Sequence, residues 1–142
     1  MKQARRGRQQ GFSLIELLIV MVIIGLLASL VGPTLFKKVG GAKQKTAKAQ
    51  IEMLGTALDS YRLDIGRYPN TQQGLDALRD KPEGEEGWDG PYLRKGVPQD
   101  PWGHAYVYKY PGDNGEYDLS SLGLDGQPGG EDENQDINSW EN

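Results

Sequence analysis

The last twenty residues of this 142-residue chain hold six carboxylates and no Lys, Arg or His. They are Asp125, Glu131, Asp132, Glu133, Asp136 and Glu141. Carboxylates so close in sequence repel one another, so the stretch is either solvated and loose or organised by a hard cation. Oxygen donors without His or Cys favour Ca²⁺ over zinc or copper. Gly126, Gly129 and Gly130 allow sharp turns that would present main-chain carbonyls as well. The D-x-D-x-D-G order of an EF-hand is missing, and no Gly-Asp array repeats. Composition leaves a calcium loop and a plain acidic tail both open.

A second carboxylate stands where chemistry is expensive. Glu16 lies in GFSLIELLIVMVIIGLLASLVG, residues 11–32. A charge among leucines and isoleucines must be paired, be neutralised, or reach water from the membrane interface. Residues 17–36 carry no charge at all. A helix of that length spans about 30 Å, the hydrocarbon thickness of a bilayer. Lys37-Lys38 reads as its boundary flank. An ordinary secretory signal fits poorly, because the run is too long and no small-x-small cleavage pattern marks its polar end.

The remaining reactive types make no constellation. There is no cysteine, hence no thiol nucleophile and no disulfide framework. His104, the only histidine, has no plausible Ser partner, so a structural or surface role is expected. Asp100-Pro101-Trp102-Gly103 reads as a turn with an aromatic plug. No phosphate loop is found. Residues 1–50 carry nine Lys or Arg and one acid; residues 51–142 carry seven and nineteen. The net −4 therefore divides into +8 and −12. Basic residues confined to the start, without interleaved aromatics, argue against nucleic-acid binding.

The elements that must position these groups follow from periodicity. Ala47, Ile51, Leu54, Leu58, Tyr61 and Ile65 recur at spacings of four and three, one apolar face of an amphipathic helix. Joined to the apolar run, this predicts a single helix over about 13–64. Gly32-Pro33 and Gly40-Gly41 should interrupt it, Pro33 by removing a hydrogen bond. Gly66 and Tyr68-Pro69 end it. Thr71 is expected to cap a short second helix through Leu78, and Trp88 with Tyr92 to close the polar loop after it. HAYVYKY (104–110) alternates its tyrosines against Ala105 and Val107, and EYDLSSL (116–122) follows the turn PGDNG, an antiparallel hairpin. Residues 123–142 show neither period. Ile137 and Trp140 are expected to anchor the chain end.

The order basic leader, Gly11, Phe12, Ser13, Leu14, Ile15, Glu16, apolar run resembles the type IV prepilin signal. With GRYPNTQQGLDAL, GPYLRKGVPQDPWGHAYVYKYPG, YDLSSLGLDG and DINSW, the chain resembles the major pseudopilins of type II secretion over nearly its whole length. The resemblance implies an α+β fold: a long N-terminal helix, membrane-spanning in its first half, on a small antiparallel sheet with an irregular C-terminal calcium loop. It implies three segments: a removed leader (1–11), a transmembrane and assembly helix (12–36) and a periplasmic domain (37–142). A prepilin peptidase/methyltransferase would cut between Gly11 and Phe12 and methylate Phe12. Glu16 would meet the N-terminal amine of a neighbouring subunit.

The same resemblance implies one structural Ca²⁺, held by side chains of Asp125, Asp132 and Asp136 and main-chain oxygens of Leu122 and a residue near Pro128. Glu131 or Glu133 could replace one of these. The implied role is structural, not enzymatic: the major subunit of a pseudopilus growing from the bacterial inner membrane to drive folded periplasmic proteins through an outer-membrane secretin. The implied partners are further copies of the chain, minor pseudopilins, the processing peptidase, an inner-membrane secretion platform and membrane lipid. The alternative is the pilin of a type IV adhesion or motility fibre, which shares the N-terminal signal. Many such pilins staple their C-terminal region with a cysteine pair, which this chain lacks.

Overall fold

Helix α1 starts because Ser13 and Glu16 satisfy each other's backbone. The Glu16 amide donates to Ser13 Oγ (3.3 Å) and the Ser13 amide donates to Glu16 Oε2 (3.1 Å), a reciprocal capping box. From there α1 runs Leu14–Ile65, 52 residues in this computed structural model, which describes residues 10–141. The helix passes through Gly32-Pro33 and Gly40-Gly41 without a break. The expected interruption is thus only a local loss: Pro33 offers no N–H to the Ser29 carbonyl. Gly66 ends the helix at φ 89°, its amide donating to the Arg62 carbonyl at 2.7 Å.

The chain divides into two units, up to Lys38 and from Val39 onward. In the first, large apolar side chains from Phe12 to Phe36 stay exposed, from 48% at Val20 to 91% at Phe12. None of the most apolar window of the helix is buried in protein. Such a surface needs an apolar medium or neighbouring helices around it.

In the second unit one face of α1 builds the core. Ala47, Ile51, Leu54, Ala57, Leu58 and Tyr61 are all at most 5% exposed. Burying each leucine contributes about 1.5–3 kcal/mol. Against this face pack Tyr68, Leu75, Leu78, Leu93, Tyr106 and Leu119. The sheet is antiparallel, in the order β1 (Val107–Lys109), β2 (Asp118–Ser121), β3 (Ile137–Asn138). Its register pairs Tyr108 with Leu119 and Ser121 with Ile137. Tyr106 is buried and Tyr108 and Tyr110 half-buried, while Val107 faces solvent. The tyrosines therefore form the inner sheet face.

Several expectations change. The hairpin strands are shorter than 104–110 and 116–122, because Asp100 claims the chain before β1: its amide donates to the His104 carbonyl. Residues 123–142 do contain structure, a 3₁₀ turn at Asp132–Asn134 and β3, both too short to show a period. Thr71 does not cap the second helix, which is a 3₁₀ turn, Leu75–Leu78. The cap before it is Asn70 with Gln73, whose amides and side-chain oxygens bond reciprocally (2.9 and 2.8 Å). Thr71 Oγ1 instead donates to the Tyr110 carbonyl and accepts from its amide. Ile137 packs on the core as expected, but Trp140 is exposed. The chain end is held by Ser139, bonded both ways to the Leu119 backbone.

The loop after Leu78 closes as expected. Trp88 Nε1 donates to the Ala77 carbonyl at 2.8 Å, and Tyr92 stacks edge-on against both Trp88 and Tyr61. Buried Glu85 pairs with Arg67 and accepts from Gln73 Nε2.

Candidate functional site

Two sets of residues were singled out by sequence, one in each unit. In the first unit Gly11 and Phe12 are both exposed, with nothing within 4 Å of a side chain built at Gly11. The leader cations Lys2, Arg5, Arg6 and Arg8 lie outside the described residues. Glu16 is exposed, and its carboxylate is taken up by the first turn of its own helix. An ionised acceptor at a helix N-terminus is favoured by hydrogen bonding and by the helix dipole together.

In the second unit the acidic stretch folds back on itself. The Leu124 amide donates to the Glu133 carbonyl (2.9 Å), and the Gly129 amide to Asp136 Oδ2 (2.8 Å). Asp125 Oδ1 accepts from the Gln127 amide (3.1 Å), a local turn. A side chain at Gly123 would collide with the Glu133 carbonyl at 2.8 Å, so only glycine allows this approach. The loop also docks on α1. Gln44 Nε2 donates to the Asp132 carbonyl, and Glu133 lies against Gly40, where a Cβ would sit 2.5 Å from its Cγ. Glu133 is thereby turned onto the helix.

The expected calcium ligands do not all converge. Leu122 and Asp136 are half-buried, whereas Asp125, Pro128 and Asp132 are exposed. Among the described residues no three acidic, His or Cys side chains come together as a metal cluster. One atom nevertheless asks for a cation. Asp136 Oδ1 is buried and has no hydrogen-bond partner among the described residues. An unpaired buried carboxylate oxygen is costly, and a hard cation fits it.

Sequence reading passed over the buried link between this loop and the sheet. Asp100, 4% exposed, accepts from the Trp102 and His104 amides and from Ser121 Oγ (2.7 Å). His104 Nδ1 in turn donates to the Gly123 carbonyl (3.0 Å). The only histidine is therefore a strut under the acidic loop. The D-P-W-G spacing is the signal, since an Asp at a turn start commonly binds amides two residues on.

The profile of the family described as type II secretion system, protein G, matches residues 34–140. The chain belongs to that family. The prokaryotic N-terminal methylation motif matches residues 6–32. The type II secretion system core protein G of Pseudomonas aeruginosa is 48% identical over 143 residues, covering 97% of this chain and 99% of that protein. The Vibrio cholerae core protein G is 46% identical, covering 99% and 96%. The crystal structure of the major pseudopilin from the type 2 secretion system of enterohaemorrhagic Escherichia coli superposes with a TM-score of 0.63. It is 41% identical and covers 76% of this chain and 95% of its own. The protein G family is one of structural pseudopilins, not enzymes, and the likeness of its members to this chain runs through the globular unit as well as the N-terminal apolar helix. A type IV pilus pilin would share only the methylation motif, so that alternative is not favoured.

Proposed function

We propose that the chain is the major structural subunit of a type II secretion pseudopilus. It is made as an inner-membrane precursor with the globular unit in the periplasm, cut between Gly11 and Phe12, and methylated at Phe12. It then polymerises, with minor pseudopilins and on an inner-membrane platform, to move folded proteins through an outer-membrane secretin. The observation that carries this reading is the helix from Leu17 to Phe36, free of charge and with its large apolar side chains exposed, preceded by an exposed Gly11–Phe12 bond and followed by a globular unit that matches the protein G family. A helix polar on no face is built to be surrounded, first by lipid and then by copies of itself.

Within the single chain the Ser13 amide serves as the Glu16 partner. In the filament Glu16 receives the Phe12 amine of a neighbour, and a wrong stagger leaves both charges unpaired in an apolar bundle. The test is Glu16→Ala and Glu16→Leu in cells that carry the processing peptidase. Both variants should insert and be cut, while filament yield falls at least about tenfold, the effect of ~1.4 kcal/mol per contact. Normal filament yield from either would remove Glu16 from assembly.

A structural calcium ion completes the reading. Asp136 would hold it through its unpartnered oxygen, with Asp125, Asp132 and the main chain of Leu122 and Pro128 as the remaining donors. Glu131 remains an alternative, whereas the contact with Gly40 speaks against Glu133.

A further inference from the structure

Cleavage after Gly11 would remove every cation of the leader. The first Lys or Arg of the mature chain is then Lys37, directly after the apolar run, followed by Lys38. We propose that Lys37 and Lys38 form a collar that binds anionic phospholipid headgroups in the leaflet facing the globular unit. The proposal rests on the membrane-anchor reading above.

Both lysines are exposed, and neither joins an ion pair among the described residues. No acid occurs between Glu16 and Glu52, so neither lysine has a carboxylate three or four residues away on its own helix. Phe36, 74% exposed, ends the apolar run and so sets the two ammonium groups at headgroup depth. Consecutive residues point about 100° apart around a helix, so the pair is a collar rather than a clamp. Lysine suits this role as a compact point charge with three rotatable donors, which a phosphodiester accepts from any side. Depth selects lipid over a protein carboxylate as the occupant, because the apolar run holds these two lysines at the bilayer surface itself. Each lysine near an anionic surface favours binding about fivefold.

The test uses the full chain reconstituted in phosphatidylcholine bilayers, with trace spin-labelled phosphatidylglycerol or phosphatidylcholine reporting lipid held at the protein. Phosphatidylglycerol should associate at least about fivefold more strongly than phosphatidylcholine at low salt. Lys37→Gln/Lys38→Gln should bring that ratio to about one, and Lys37→Arg/Lys38→Arg should keep it. Lys43→Gln/Lys45→Gln/Lys48→Gln should also leave it unchanged. A ratio that survives Lys37→Gln/Lys38→Gln, or that never exceeds one in the wild type, overturns the collar. So does a loss confined to the triple variant, or a Lys37→Gln/Lys38→Gln effect on self-association without one on lipid. Alkaline carbonate extraction separates the two failures: a chain that washes out of the bilayer overturns the anchor reading as well, and one that stays without lipid preference overturns the collar alone.

Discussion

Asp118 shows how much a single carboxylate does in a loop of glycines. It is the first residue of β2, and its two oxygens accept the amides of Asp113, Asn114 and Gly115 and the Asn114 side chain. Burial alone would raise its pKa, but these four donors outweigh that and hold the carboxyl below its ordinary value. With the folded value under the unfolded one of about 3.9, the unfolded chain takes up its proton first. The contribution of Asp118 is therefore fully present above about pH 4 and lost as pH falls through the folded value. Asp118→Asn turns an amide group toward donors and should cost about 2 kcal/mol at neutral pH. It should also flatten the acid limb of the stability curve below pH 4, measured by thermal melts of the detergent-solubilised chain. An acid limb unchanged by the substitution would place the titrating group elsewhere.

Among the elements, α1 is where sequence spoke most clearly. The spacing of Ala47, Ile51, Leu54, Leu58 and Tyr61 identified its buried face, since a helix repeats long enough for a period to be counted. Strand β1 was legible from alternation and β2, buried at all four positions, only from the turn before it; their ends were not legible, because residues 104–106 answer to Asp100 rather than to a partner strand. Strand β3 has two residues and so no period to read. The cap at Asn70 did carry a signal, Asn three residues before Gln, that Thr71 beside it obscured. In the acidic loop composition left a hard cation and a plain acidic tail both open, and the buried oxygen of Asp136 depends on how 123–136 folds back, which no local pattern encodes. Helix α1 also contains a contact that invites a test. A Cβ at Gly55 would lie 2.8 Å from the Tyr117 hydroxyl. Alanine gains about 1 kcal/mol of helix propensity, yet the collision costs about 1–3 kcal/mol. Gly55→Ala should thus lower the melting temperature, and Gly55→Ala/Tyr117→Phe should recover it. Equal loss in the single and double variants would exclude the hydroxyl as the cause.

At the scale of the whole molecule, the chain has no disulfide to staple its second unit. Its last twenty residues are tied in by Gln44, His104, the Leu119 backbone and strand β3 instead. A calcium ion at Asp136 would lock all four ties at once. Added calcium should therefore raise the melting temperature of the full chain against chelator, by the equivalent of about 2.7 kcal/mol at a hundred times Kd. Asp136→Asn keeps an acceptor for the Gly129 amide and removes the charge, and it should abolish most of that rise. A melting temperature indifferent to calcium would make the stretch an acidic tail organised by protein contacts alone.

The sheet order has a consequence for biogenesis. Strand β2 lies between β1, which precedes it, and β3, which ends at Asn138, four residues from the C-terminus. Helix α1 leaves the ribosome before the sheet, and β3 after β1 and β2. Until β3 emerges, β2 has one neighbour and an open edge. The sheet therefore completes only once β3 has emerged and paired along β2 at Ser120 and Ser121.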